Sequence, residues 1–194
     1  MGLLRAFLAA EIPSQLQDAI QTATAGLRQL LGGDLVRWVP VRNIHLTLKF
    51  LGDVSPSSLD LIQHMLQIEA GHYQPFDARV EGFGCYPNPH RPRILWVGLQ
   101  VPSSLLSLQR DLDSASARLG YPSEDRDFSP HLTIGRVRQN AGATDIQKIR
   151  SEVEHTQVGA LGSTRVDAIH LFKSDLLPTG SVYTKLFSAP LGSS

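Results

Sequence analysis

The chain has one cysteine, Cys85, in 194 residues, which excludes an internal disulfide framework and any zinc site built on paired thiolates. Net charge is absent too. Eighteen Lys and Arg balance 18 Asp and Glu, so no whole-molecule field draws the protein to nucleic acid or to an anionic membrane. An anionic substrate has to be held by local groups. Long apolar runs are also missing. The opening "MGLLRAFLAAEIP" reaches Glu11 and Pro13 quickly, so it reads as a first strand and not a secretory leader, and no stretch is long enough to span a bilayer. HExxH and other metal-ligand spacings do not occur. These absences predict a cytoplasmic protein without metal or cofactor. What is present is ordinary for a globular fold: 42% hydrophobic and 19% charged residues, enough for one domain with a real core.

Periodicity divides the chain into two halves of like order. Residues 3–10 are strand-like. Leu16, Ile20, Ala23, Leu27 and Leu30 follow at helical spacing until Gly32 and Gly33. "LVRWVP" and "IHLTLKFLG" read as strands, "SPSSLDLIQHMLQIEAG" as a helix, and "FDARVEGFGCY" with "RILWVGLQV" as a hairpin. A helix over 103–119, the strand "FSPHLTIGRVR", a helix over 144–155 and the strands "RVDAIHLFKS" and "SVYTKLF" repeat the pattern. "GALGSTR" reads as loose, and "DLLPTG" as the loop between the last two strands. No Gly/Ser/Pro-rich linker parts the halves. The expectation is therefore an α+β protein, bilobal, with two mainly antiparallel sheets, helices outside and a pseudo-twofold relation about a central groove. Residues 1–190 would form this single domain of two lobes, and 191–194 a flexible tail.

One phrase occurs in both halves: "IHLTL" at 44–48 and "PHLTI" at 130–134. Alternation in a strand puts His45 and Thr47 on one face and Leu46 and Leu48 on the other, and does the same for His131 and Thr133 against Leu132 and Ile134. A lone strand histidine is more often a packed residue than a catalyst, and His64, His72, His90, His155 and His170 take that reading. The pair differs. With nine threonines in 194 residues, a given histidine has about a 1-in-20 chance of a threonine two places on. Two imidazoles and two hydroxyls converging on one point suit a phosphodiester. One imidazole takes a proton from the attacking group while the other, protonated, supplies the leaving oxygen. The hydroxyls donate to the non-bridging oxygens as charge develops there.

"RAFLAAEIP", "RWVPVRNIHLTLKFLGDV", "RPRILWVGL" and "FSPHLTIGRV" together resemble the 2H phosphoesterase superfamily, and more closely the RNA 2′,3′-cyclic phosphodiesterases, also called the 2′-5′ RNA ligase family. The resemblance covers almost the whole chain. It implies metal-independent hydrolysis of RNA 2′,3′-cyclic phosphate ends to 2′-phosphomonoesters. In these roles His45 is the proton donor to the departing 3′ oxygen, His131 the proton acceptor from water, and Thr47 and Thr133 bind the phosphate. The residues alone are symmetric and assign neither role. The resemblance also matches Arg136 to a substrate-facing arginine, which simple alternation places opposite His131 unless the strand ends or bulges near Gly135. It matches Phe7 to an aromatic that stacks on a nucleobase, a core phenylalanine being the other reading. Lys49 shares the His45 face by alternation, as a phosphate ligand or a solvated strand-end lysine. The basic loop "NPHRPR", 88–93, either lines the groove or is a plain hairpin loop. The partner expected is RNA or an oligonucleotide with a cyclic phosphate end, handled by a monomer with no membrane. The competing functions are 2′-5′ RNA ligation, cleavage of a small cyclic nucleotide, and a non-catalytic module for RNA ends or nucleotides.

Overall fold

The structure, a computed structural model, describes residues 2–177 and 180–192. Its strands are β1 (Leu4–Glu11), β2 (Val36–Trp38), β3 (His45–Val54), β4 (Phe76–Tyr86), β5 (Ile94–Gln100), β6 (His131–Val137), β7 (Gly162–Val166), β8 (Ala168–Leu177) and β9 (Gly180–Pro190). Its helices are α1 (Ser14–Ala23), α2 (Ala25–Leu35), α3 (Leu59–Gly71), α4 (Ser103–Arg118) and α5 (Ala143–His155). All pairings are antiparallel and the strands form one curled sheet in the order β7-β4-β5-β6-β3-β1-β8-β9, with β2 added to β6. The α+β expectation holds, and the two sheets are halves of this one. Among the described residues they join through a single pair, Leu46 with Leu132. The halves also exchange hairpins: β4–β5 follows β3 in the chain but lies beside β6, and β8–β9 lies beside β1.

The apolar periodicities put the core where these elements meet. Ile62 and Leu66 of α3, Leu105, Leu108 and Leu112 of α4 and Ile149 of α5 are fully buried. They pack on the leucines and valines of the sheet, each side chain stabilising the fold by about 1.5–3 kcal/mol. In β1, Ala6 through Ala10 are buried without a break, so this strand is covered on both faces and reads as a continuous apolar run. One face joins the main core. On the other, Phe7 and Ala9 pack with Phe172 and Tyr183 in a small separate cluster under the site.

Three local expectations change. "GALGSTR" is not loose throughout, because Gly162–Val166 forms β7, an edge strand paired with β4. Nor does the tail begin at 191: Leu191 is 6% exposed and its N–H donates to Asp167 O at 2.8 Å. Ser193 and Ser194 lie outside the described residues, as do Pro178 and Thr179 of the "DLLPTG" loop. The first helix is two, parted at Thr24, whose hydroxyl donates to Ile20 O at 2.8 Å.

Candidate active site

The pair Leu46–Leu132 is the centre of the site. Antiparallel register through it sets His45 opposite Thr133 and Thr47 opposite His131, all four on one face and at cross-strand spacing. The greasy faces behave as the sequence predicts: Leu46, Leu48, Leu132 and Ile134 are at most 3% exposed. The two histidine strands are thus neighbours in the sheet at the floor of the groove.

Each strand carries a β-bulge just after its threonine. Leu8 pairs with Lys49 but Ala9 with Thr47, which leaves Leu48 as the extra residue in β3. Leu95 pairs with Gly135 but Trp96 with Thr133, which leaves Ile134 as the extra residue in β6. The carbonyls so freed find partners outside the ladder, Gln109 Nε2 for Leu48 at 3.3 Å and Val39 N for Ile134 at 2.9 Å. A bulge shifts side-chain alternation by one, and the burial patterns of His45–Leu51 and His131–Val137 are identical after it.

The bulges decide three positions. Arg136 turns into the groove, close enough to both imidazoles for its charge to act on each. Gly135 helps by omission, since a Cβ there would meet Val36 Cγ1 at 2.7 Å and Trp38 Cε3 at 3.0 Å. Lys49 turns the other way. It does not share the His45 face: its side chain is 0% exposed and its ammonium donates to Asp113 Oδ1 at 2.6 Å and to Pro122 O. The place that matches Arg136 in β3 is taken by Phe50, 56% exposed.

Backbone carbonyls orient the imidazoles in the same way in both halves. His45 Nδ1 lies 2.7 Å from Asn43 O and His131 Nδ1 lies 2.7 Å from Ser129 O. A carbonyl only accepts, so each Nδ1 carries the proton and each Nε2 is left for chemistry. His45 Nε2 is 2.9 Å from Thr47 Oγ1, which donates to it while the ring is neutral. A tyrosine from each exchanged hairpin stands edge-on to each ring, Tyr183 at 5.3 Å from His45 and Tyr86 at 5.0 Å from His131. Tyr86 Oη also donates to Ser129 Oγ at 2.7 Å, fixing the turn before β6. The turn before β3 is fixed by Gln17 Nε2 on Ile44 O at 3.0 Å and Asn43 Nδ2 on Ser181 O at 2.7 Å.

Electrostatics favour neutral rings. Burial pushes both His45 and His131 below the usual histidine range, and Arg136 adds to this. The carbonyl acceptors pull the other way without restoring the ordinary value.

Phe7 does not present a face to a nucleobase. It is 4% exposed, stacked on His45 at 4.9 Å and on Phe172 at 5.4 Å, so it supports the imidazole from below. In the 88–93 loop, Arg91 and Arg93 are exposed, while His90 Nδ1 accepts from Arg150 of α5 at 3.0 Å. His170 is 8% exposed, held by Ser188 Oγ at 2.9 Å and facing Glu11 at 3.5 Å. Among the described residues, no group of three or more His, Cys, Asp or Glu is placed to hold a metal ion, and no helix is long and apolar enough to cross a membrane. Two clefts flank the histidines. One of about 500 Å³ beside His45 has a polar lining that includes Glu11, Arg42, Asn43 and Arg165. The other, of about 610 Å³, lies at Tyr86, Trp96, Ser129 and Pro130.

Sequence reasoning missed Tyr86, Tyr183, Phe50 and Trp96. Tyr86 and Trp96 stand in strands it located, but pairing partners far along the chain set where they point. The carbonyls of Asn43 and Ser129 carry no side-chain signal at all.

Comparison with known proteins agrees with this geometry. A family model described as the 2′-5′ RNA ligase superfamily matches residues 12–176. A Methanothermobacter thermautotrophicus protein named RNA 2′,3′-cyclic phosphodiesterase is 33% identical over 183 residues, covering 94% of this chain and 96% of its own. One of the same name from Archaeoglobus fulgidus is 33% identical over 185 residues, covering 94% and 98%. The crystal structure of E. coli LigT complexed with 3′-AMP superposes with a TM-score of 0.76 at 25% identity, covering 97% of this chain and 98% of that one. A Thermus thermophilus crystal structure superposes at 0.80 with 27% identity over the same shares. With a shared model over most of its length and relatives a third identical across nearly all of it, the chain belongs to the 2′-5′ RNA ligase superfamily.

Proposed function

We propose that this protein opens the 2′,3′-cyclic phosphate at an RNA 3′ end, leaving a 2′-phosphomonoester, by two-histidine acid-base chemistry that needs no metal. The observation that carries the reading is the matched pair of imidazoles. Each is locked at Nδ1 by a carbonyl and keeps Nε2 on the groove face beside a threonine. The relatives named RNA 2′,3′-cyclic phosphodiesterase support the substrate class.

His131 takes the proton from water as it attacks phosphorus. His45, protonated at Nε2 when the anionic end binds, delivers its proton to the departing 3′ oxygen. Thr47 and Thr133 donate to the non-bridging oxygens, and Arg136 supplies the fixed charge on the same face. Phe7 and Tyr183 hold the His45 ring, and Tyr86 holds that of His131. The site belongs to one domain of two lobes, because the exchanged hairpins leave no cut that yields a complete half. A single buried cysteine fits a cytoplasmic setting.

The test is incubation of chelator-treated protein with an oligonucleotide ending in a 2′,3′-cyclic phosphate. A 2′-phosphate product is expected, and H45A and H131A each lose about 100-fold or more in rate. A 3′-phosphate product would reverse the leaving group, activity lost with the chelator would overturn the metal-free reading, and parental rates in either alanine variant would overturn the mechanism.

A further inference from the structure

We infer that Trp96 and Tyr86 form a nucleobase subsite on the His131 side of the groove. This assignment rests on the reading of the groove as an RNA-end site. Register places it: Trp96 pairs with Thr133, and Gly98 with His131. Partners in adjacent strands share a face, so the indole projects on the face that carries the catalytic pair. Tyr86 lies between, its ring 5.0 Å from His131 and 5.2 Å from Trp96.

Gly84 prepares the seat, with Gly98 beside it. A Cβ on Gly84 would stand 2.5 Å from Trp96 Cζ2 and 2.7 Å from Cη2, and one on Gly98 would stand 3.5 Å from Cζ3. The six-membered ring therefore lies on bare backbone of β4, where a side chain at Gly84 would lift it, and at ordinary contact distance from Gly98 of β5, whose own missing Cβ makes room for Glu81 O. The side of the ring on Gly84 is spent on the sheet, and the indole lines the open cleft of about 610 Å³ that Tyr86, Phe83 and Pro130 help to form. That size is within the range of small-molecule sites. The indole N–H is buried with no hydrogen-bond partner among the described residues, so close packing on the glycines, and not a hydrogen bond, holds the ring. A flat aromatic floor, partly open and one side chain from a phosphate site, is what an unpaired base stacks on. The cleft beside His45 has charged groups in its lining and no such flat floor: of its aromatic residues, Phe7 and Phe172 are packed under the imidazole and Tyr183 stands edge-on to Phe7 and His45.

The experiment uses Trp96 as its own reporter. The chain has two tryptophans, so W38F leaves indole emission to Trp96 alone. Adenosine 2′-monophosphate is expected to quench that emission saturably, and inorganic phosphate to leave it unchanged. In steady-state kinetics on a cyclic-ended oligonucleotide, W96L raises KM about tenfold, the scale of one lost base stack, with kcat within about twofold. W96F, which keeps a flat ring, stays within about threefold of the parent KM. A folded W96L with the parental KM overturns the subsite. So does emission that ignores the nucleotide at concentrations where it inhibits turnover. The two readings fail separately. A parent that never opens the cyclic phosphate, yet is quenched by the nucleotide, removes the reaction and keeps the subsite; turnover without a Trp96 response does the reverse.

Discussion

Replacing Lys49 with methionine separates the bulged geometry of β3 from simple alternation. With plain alternation Lys49 would face the phosphate, and its loss would cost activity. With the bulge at Leu48 it is buried against Asp113 and Pro122 O, and its loss costs stability. Methionine keeps the stem but leaves a carboxylate and a carbonyl without their donor. Removing one partner of a buried pair costs about 3–5 kcal/mol. The Asp113 side chain is 16% exposed and keeps some access to water, which favours the lower figure, about 3 kcal/mol. For a domain of this size that is a fall in Tm of roughly 6–12 °C. Thermal melting measures it, and kcat/KM well below the melt is expected within about threefold of the parent. The pH dependence gives a second readout. Burial pushes the Asp113 carboxyl up, but hydrogen bonds from Lys49, Ser123 and the Glu124 N–H, with the ammonium charge, outweigh it and hold it below its ordinary value. A lowered carboxylate contributes stability that is full above about pH 4 and is lost as pH falls through the folded-state value. The parent therefore loses more on acidification than K49M, which starts without most of that contribution. An unchanged Tm with collapsed activity would put Lys49 in the groove and refute the argument.

Both imidazoles are held below the ordinary value of about 6.5. The singly protonated pair that the reaction needs is therefore depleted as pH rises, and kcat/KM is expected to fall with increasing pH from an optimum on the acid side of neutrality. R136M removes a charge that lowers both rings, so the whole kcat/KM profile moves to higher pH while its peak height drops; a profile that keeps its position would place Arg136 away from the histidines. G135A introduces a Cβ 2.7 Å from Val36 Cγ1 and is expected to cost about 1–3 kcal/mol, read as a lowered Tm. A parental melt would mean the glycine is not there to make room for β2.

The proposed catalytic pair was legible because its chemistry and its strand period coincide within five residues. His-Leu-Thr-Leu and His-Leu-Thr-Ile state both which side chains face the core and which face the groove. Legibility stopped one residue after the threonine. "LKF" and "IGR" look like continued alternation, and nothing local records that Leu48 and Ile134 are extra residues whose carbonyls bond to Gln109 and Val39. Lys49 read as a phosphate ligand or a solvated strand-end lysine, and not as a buried one, because its acceptor, Asp113, is 64 residues away. Phe7 was ambiguous for a like reason, since its burial depends on Phe172 and Tyr183 from an exchanged hairpin. β7 was missed because "GSTRV" has little strand character of its own and is held by pairing with β4.

Taken alone, the sequence determined most of the element order, the buried faces of the two histidine strands and which side chains are proposed to react, since these depend on local period and side-chain chemistry. Tertiary structure decided the rest. Only the pairing of Leu46 with Leu132 sets the two motifs on one face, and only the bulges choose Arg136 over Lys49 as the cation beside them. The physical reason is register. Strand alternation is local, but a bulge and a cross-strand neighbour exist only once a second strand is in place to count against.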